Sequence, residues 1–279
     1  MAADKTIVGL DIGTSSTRVA VGSVSRDGQL VIESVVERPS EGVKNGSIVN
    51  IEQTMKTISS VIGEAEVQAG TEISSVIIGI GGDQIKGIKS NGVVGINSKD
   101  QEITKDDIRR SIDVARNIQL PQNTEILHSL VQDFYVDSRS GIKDPVDMLG
   151  HRLDTKILLV LGSSPIIQNQ KKCVHKTGLQ VQKVVFQTLA DSEVVLSPEE
   201  KDMGAIVINI GSGSTNYIAY AGGAPVHVGG INRGSDLVTS DIAYLFQLPK
   251  AAAESLKLTD GSCYSPGIHD SDMMVTPAL

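Results

Sequence analysis

The sequence predicts an α/β protein built from a duplicated unit, and three observations carry that prediction. Apolar runs of strand length alternate with segments of helical spacing. The composition is 40% hydrophobic but only 3% aromatic, with no Trp and 28 Gly, which suits aliphatic strands joined by tight turns. Finally, Leu10-Asp11-Ile12-Gly13-Thr14-Ser15-Ser16-Thr17 recurs far along the chain as Ile208-Asn209-Ile210-Gly211-Ser212-Gly213-Ser214-Thr215, self-similarity that marks a duplicated architecture.

The elements follow in order. Residues 6–11 form a near-continuous apolar run and read as a buried strand. Gly13-Thr14-Ser15-Ser16 is a turn, 17–24 a returning strand, Arg26-Asp27-Gly28 a second turn and 30–37 a third strand, giving a meander. Asn50 with Gln53 three residues on has helix-cap spacing, and Ile51, Met55, Ile58, Ile62 and Ala65 continue it until Gly70. A strand follows at 75–80. Residues 83–161 read as a small inserted α+β subdomain: a strand-rich stretch, a helix over 104–117 capped by Thr104, strands at 125–137 and 152–161, and a turn-rich loop at 139–149 between them. A helix (165–177), a strand (181–186) and a helix (189–196) come next. Then the opening pattern returns, with strands at 205–210, 215–221 and 225–229 and helices at 235–246 and 250–256.

Length and charge bound the function. The 279 residues suffice for one large domain or two ordinary ones. A net charge of −8 and a pI near 5.1 argue against nucleic acid as a partner and against a surface held on anionic lipid by charge alone. Cys173 and Cys263 are far apart with no CxxC spacing and read as free thiols in a reducing compartment. The N-terminal apolar run is too short for a signal peptide, and no stretch of 18 apolar residues exists. His128, His151, His175, His227 and His269 show no ligand or triad spacing and read as surface or packing residues. Arg109-Arg110 and Lys171-Lys172 read as solvated helix faces.

The two repeated turns carry the chemistry. A short Gly/Ser/Thr turn lets backbone N–H groups approach phosphate oxygens, and hydroxyls add donors without bulk. A carboxylate at the strand end, Asp11, can hold a hydrated Mg²⁺. One such hairpin is as a rule only a hairpin; two in matching context point to a clamp on one triphosphate.

This pair of turns resembles the two phosphate loops of the actin/Hsp70/sugar-kinase superfamily. The resemblance implies an actin-like ATPase fold of duplicated ribonuclease-H-like lobes. Within the superfamily the chain most resembles the FtsA family. Gly229-Gly230-Ile231-Asn232-Arg233-Gly234-Ser235-Asp236, followed by Thr239-Ser240-Asp241-Ile242-Ala243, is similar to its glycine turn and T-x-D-I-A helix. Ala253-Glu254-Ser255-Leu256-Lys257 is similar to its A-E-x-(I/L)-K segment. Leu127-His128, Tyr135-Val136-Asp137, Gly141-Ile142-Lys143-Asp144-Pro145, Met148, Gly150 and Arg152-Leu153 follow the family order through the insert. So do Gln168-Asn169, Lys172-Cys173 and Gly178-Leu179.

The resemblance implies a first lobe (1A) over 1–82 and 162–196, an FtsA-type 1C subdomain over 83–161, and the start of an incomplete second lobe (2A) over 197–279. It implies ATP and Mg²⁺ as cofactors. The nucleotide contacts would be Asp11, Gly13, Thr14, Ser15, Ser16, Asn209, Gly211, Ser212, Gly213, Ser214, Thr215, Gly234, Ser235 and Asp236, with Glu254 and Lys257 near ribose and adenine. Asp11 would hold Mg²⁺ through water. For Glu254 and Lys257 a solvated helix pair stands as an equal alternative. The implied partners are the tubulin-like FtsZ ring, further copies of itself in an actin-like protofilament, and later division proteins on the insert. The implied location is the cytoplasmic face of the membrane at the division site.

Three departures qualify the resemblance. The family's second loop reads D-I-G-G-G-T-T-D, whereas here Asn209 and Asn216 replace both acidic positions, so Mg²⁺ binding and orientation of an attacking water should weaken. Gly-Gly-Asp has become Gly234-Ser235-Asp236. The family pattern also continues beyond this chain, to a further nucleotide contact and an amphipathic membrane helix. The chain therefore reads as a fragment or a truncated relative, without that anchor and part of the adenine pocket. Two other functions compete: a small-molecule kinase of the same fold, with Asp191 or Glu193 as base, and a PilM-like pilus-assembly ATPase, against which the 127–153 run argues.

Overall fold

The computed structural model describes residues 5–25 and 27–264. Arg26 of the second turn, the leading residues 1–4 and the polar segment 265–279 lie outside the described residues.

The chain opens as the meander β1 (Lys5–Ile12), β2 (Ser16–Val24) and β3 (Leu30–Pro39), followed by a two-residue pair, β4 (Val43–Lys44) and β5 (Ser47–Ile48). Helix α1 (Ile51–Ala69) starts where the Asn50 side chain accepts from Gln53 N, and Gly70, at φ 64°, closes it. It lays Ile58, Val61, Ile62 and Ala65 onto the sheet. The strand β6 (Ser75–Ile80) then pairs parallel with β1.

The insert comprises β7 (Lys86–Gly95), α2 (Lys105–Arg116), β8 (Thr124–Val136), β9 (Arg139–Ile142) and β10 (Arg152–Ser163). Thr104 and Asp107 form a reciprocal capping box at the start of α2. Strand β10 is buried on both faces, with Ile157, Leu159 and Leu161 in one cluster and Leu158 and Val160 in another. That is why it reads as an unbroken apolar run. Where a turn-rich loop was expected at 139–149, the chain first makes the short strand β9 against β8.

The chain returns through α3 (Ser164–Lys176), β11 (Gln180–Phe186), α4 (Gln187–Val195) and α5 (Pro198–Met203). Strand β11 pairs parallel with β6, so the first sheet runs β11-β6-β1-β2-β3. The second meander is β12 (Ala205–Ile210), β13 (Thr215–Ala221) and β14 (Ala224–Ile231), followed by α6 (Asp236–Phe246) and α7 (Lys250–Asp260). It joins the insert's strands in one sheet, β12-β13-β14-β7-β10-β8-β9, through the pairing of Gly229 with Lys86.

One continuous core runs from Val8, Leu10 and Val19 of the first sheet, through Leu158 and Val160 of β10, to Ile218, Tyr220 and Val228 of the second meander. His128 fastens the insert beside it: the Phe186 N–H donates to His128 Nε2 at 2.9 Å. Burial, aided by the charge of Lys183, pushes the His128 pKa down to about 4.

A histidine whose folded pKa lies below its ordinary 6.5 binds a proton only in the unfolded chain between the two values, so stability falls as pH drops from 6.5 towards 4. Urea midpoints at pH 7.5 and 5.0 measure this. His128→Gln, which keeps an acceptor without titrating, should shrink the difference; an identical difference in both proteins would contradict it.

Candidate functional site

The two repeated turns close in the same way. Gly13 N–H donates to Ser16 O at 3.0 Å, and Gly211 N–H to Ser214 O at 2.9 Å. Among the described residues, the amides of Thr14, Ser15, Ser212 and Gly213 donate to no protein acceptor. Both turns line one cavity of about 120 Å³, with Asp11, Asn209 and Asn216 at its walls. They meet at Gly213. A Cβ there would lie 2.8 Å from Thr14 Oγ1 and 3.0 Å from the Asn45 Cα, so only glycine lets the loops approach this closely. Thr14 in turn accepts from Gly46 N–H at 2.9 Å, beyond Asn45, which sits at φ 48°.

Helix α4 supplies a residue to each strand end. Gln187 Nε2 donates to Asp11 Oδ2 at 3.3 Å. One turn later Asp191 Oδ2 accepts from Asn209 Nδ2 at 2.6 Å. Burial raises the Asp11 carboxyl above the usual carboxylate range; Arg18, 3.9 Å away, pulls it back, and the charge of Asp191 adds to the rise. A divalent cation and its waters would relieve both the burial and the repulsion, so Asp11 suits the Mg²⁺ role assigned to it. Glu193, the other carboxylate considered, faces away and pairs with Lys201 at 2.9 Å.

Asn216 does something the sequence did not indicate. It is buried, and its Oδ1 accepts from Gly82 N–H at 2.7 Å, fastening the β6–β7 junction to β13. Its amide therefore belongs to the joint between the two halves as well as to the cavity wall.

Gly234, Ser235 and Asp236 brace the second turn. Ser235 N–H donates to Gly211 O and Asp236 N–H to Ser212 O, each at 2.9 Å. A Cβ on Gly234 would lie 2.3 Å from Gly211 O, so this position too requires glycine. Glu254 and Lys257 pair at 2.7 Å and both bond Thr239, tying α7 to α6. Glu254 and Asp236 also line a larger cavity of about 740 Å³, which shares Thr14, Ser15 and Ser212 with the first. Thus Gly13–Ser16, Gly211–Ser214, Asp11 and Asn209 converge on one cleft and Asp236 and Glu254 line its extension, whereas Gly234, Ser235, Lys257 and Thr215, whose hydroxyl donates to Arg233 O, are not among the residues lining either cavity. Gln187, Arg18, Gln170 and the Asn45-Gly46 turn were missed. Asn-Gly is a turn signal that could have flagged the last; nothing local marks the others.

Comparison with known proteins places these observations. A family model described as the SHS2 domain inserted in FTSA matches residues 82–161, and one described as cell division protein FtsA matches 206–278. Together they span more than half of the chain. The chain is 40% identical over 267 residues to the cell division protein FtsA of Borreliella burgdorferi, covering 96% of this chain and 64% of that one. It is 32% identical to that of Escherichia coli K12, covering 99% and 65%. The chain thus spans less than two thirds of the length of these relatives. Among solved structures it is similar to the PilM–PilN type IV pilus biogenesis complex (TM-score 0.63, 18% identity, 91% of this chain and 70% of that one). It is also similar to MreB 5 of Spiroplasma citri bound to AMPPNP (TM-score 0.50, 11% identity, 95% and 65%). Both likenesses give an actin-like fold, and the family model over residues 82–161 gives the inserted subdomain.

Asn216→Ala leaves the Gly82 N–H buried without its acceptor and should lower stability by about 1–3 kcal/mol, whereas Asn216→Asp keeps the acceptor and should lose less. Denaturant titration compares them; an Ala variant as stable as the native chain would contradict the joint.

Proposed function

The chain belongs to the FtsA family of cell-division proteins, and we propose that it binds ATP between its two phosphate turns and works as an actin-like division scaffold. The single observation that carries this reading is the shared cavity between Gly13–Ser16 and Gly211–Ser214, with unused backbone donors on both turns. Mg²⁺ would be held through water by Asp11, and the base and ribose would extend towards Asp236, Glu254 and Lys257. When bound, the cation neutralises phosphate charge.

The domain reading is a first lobe (1–82 and 162–196), an inserted subdomain (83–161) and the second-lobe segment (197–279). Nucleotide joins the lobes, and joined copies assemble end to end. The assembly links the FtsZ ring to the cytoplasmic face of the membrane, and the insert recruits later division proteins. Hydrolysis is weak or absent, since the second turn carries amides where a carboxylate would orient water. Among the described residues no helix is long and apolar enough to cross a membrane, and the reading has the protein peripheral to it.

Isothermal titration with ATP and ADP tests the nucleotide. The native chain should bind both, and Gly213→Val, which forces the turns apart, should weaken binding about tenfold or more while keeping its circular dichroism. No binding of either nucleotide by the native chain would refute the reading. Pull-down with the C-terminal tail of FtsZ tests the partner.

A further inference from the structure

Asp11 and Asn209 occupy equivalent positions in the two repeats, each at the end of the strand that enters its phosphate turn. Each is met by a side chain of α4. Gln187 and Asp191 are four residues apart and so lie on one face of that helix. The pairing is crossed: on one side an amide donates to a carboxylate (Gln187 to Asp11), on the other a carboxylate accepts from an amide (Asp191 from Asn209). An aspartate at 209 would set two carboxylates at hydrogen-bond distance, with like charges opposed. Asn209 is therefore the residue that Asp191 requires, and the negative charge absent from the second turn is present one side chain away.

A second observation points to a ligand. Gln170 is buried, lines the same cavity as Asp11 and Asn209, and among the described residues its Oε1 has no hydrogen-bond partner. A buried acceptor without a donor is unfavourable unless something supplies one. Water bound to a divalent cation presents its hydrogens outward and is such a donor.

We propose that Asp191 replaces the missing carboxylate of the second turn: through Asn209, which fixes its orientation, it supplies the second negative charge beside a hydrated divalent cation on the bound polyphosphate. This rests on the nucleotide reading above. The amides at 187 and 209 are then holders: Asp11 lines the cavity, Asp191 stands behind Asn209 with its charge acting on Asp11, and a hydrated cation beside Asp11 lies in the field of both carboxylates. The replacement of Asp by Asn in the second turn is on this account a relocation of charge from turn to helix.

The test is a charge swap read by nucleotide affinity in Mg²⁺ and in EDTA, on the 279-residue chain. The native chain should bind ATP more tightly in Mg²⁺. Asp191→Asn should reduce that gain about tenfold, the usual effect of losing a group that stands behind a metal's ligands, with the EDTA affinity unchanged. Asn209→Asp alone should reduce it too, and the double variant D191N/N209D should recover it. A merely structural Asp191 would shift both affinities together. D191N with the native ratio of affinities, or a double variant no better than either single one, would overturn the proposal. Equal native affinity in Mg²⁺ and EDTA overturns it alone, while no nucleotide binding in either buffer overturns the nucleotide reading with it. Melting temperatures without ligand report whether each variant is folded.

Discussion

Gly213 lies against Thr14 with no space for a side chain, and the position of the cleft follows from that contact between two turns far apart in the chain. For the turns to meet, each must be held from behind. The first is held by Gly46 N–H on Thr14 and by Gln187 on Asp11. The second is held by the Ser235 and Asp236 amides on Gly211 and Ser212. Asn216 clasps Gly82 at the base. The amides left over at the turn tips are the ones able to receive an anion, because donors already committed to protein acceptors cannot.

The same contact explains the division of labour in the fold. Strands β1 and β12 end at the cleft in equivalent places, and α4 lies between them with one polar side chain for each. The core that runs through β10 keeps the two meanders from moving independently at their bases. The pin between His128 and Phe186 places the insert directly behind the residue that begins α4.

Much of this was legible in the sequence. The meanders read correctly because their strands are apolar runs broken by Gly-rich turns, and α1 and α2 because Asn50 and Thr104 announce them. The turns were found because the chain states them twice. Strand β9 was not found, since Arg139-Ser140-Gly141-Ile142 has neither period nor length; α5 was not, although Ser197-Pro198-Glu199-Glu200 carries its capping box. Gln187 and Gln170 belong to none of the motifs legible in the sequence, and the parallel pairing of β11 with β6 and β6 with β1 brings them to the cleft. The roles of Asn209 and Asn216 were only partly legible for a similar reason. Their partners, Asp191 and Gly82, are distant in sequence, and an amide's meaning depends on what it bonds.

The most direct measurement of the central claim is an amide-resonance titration of the isotope-labelled chain with ADP. If both turns grip one polyphosphate, the resonances of Thr14, Ser15, Ser212 and Gly213 shift together along one saturation curve. Shifts confined to one turn, or saturating at different concentrations for the two, would contradict it.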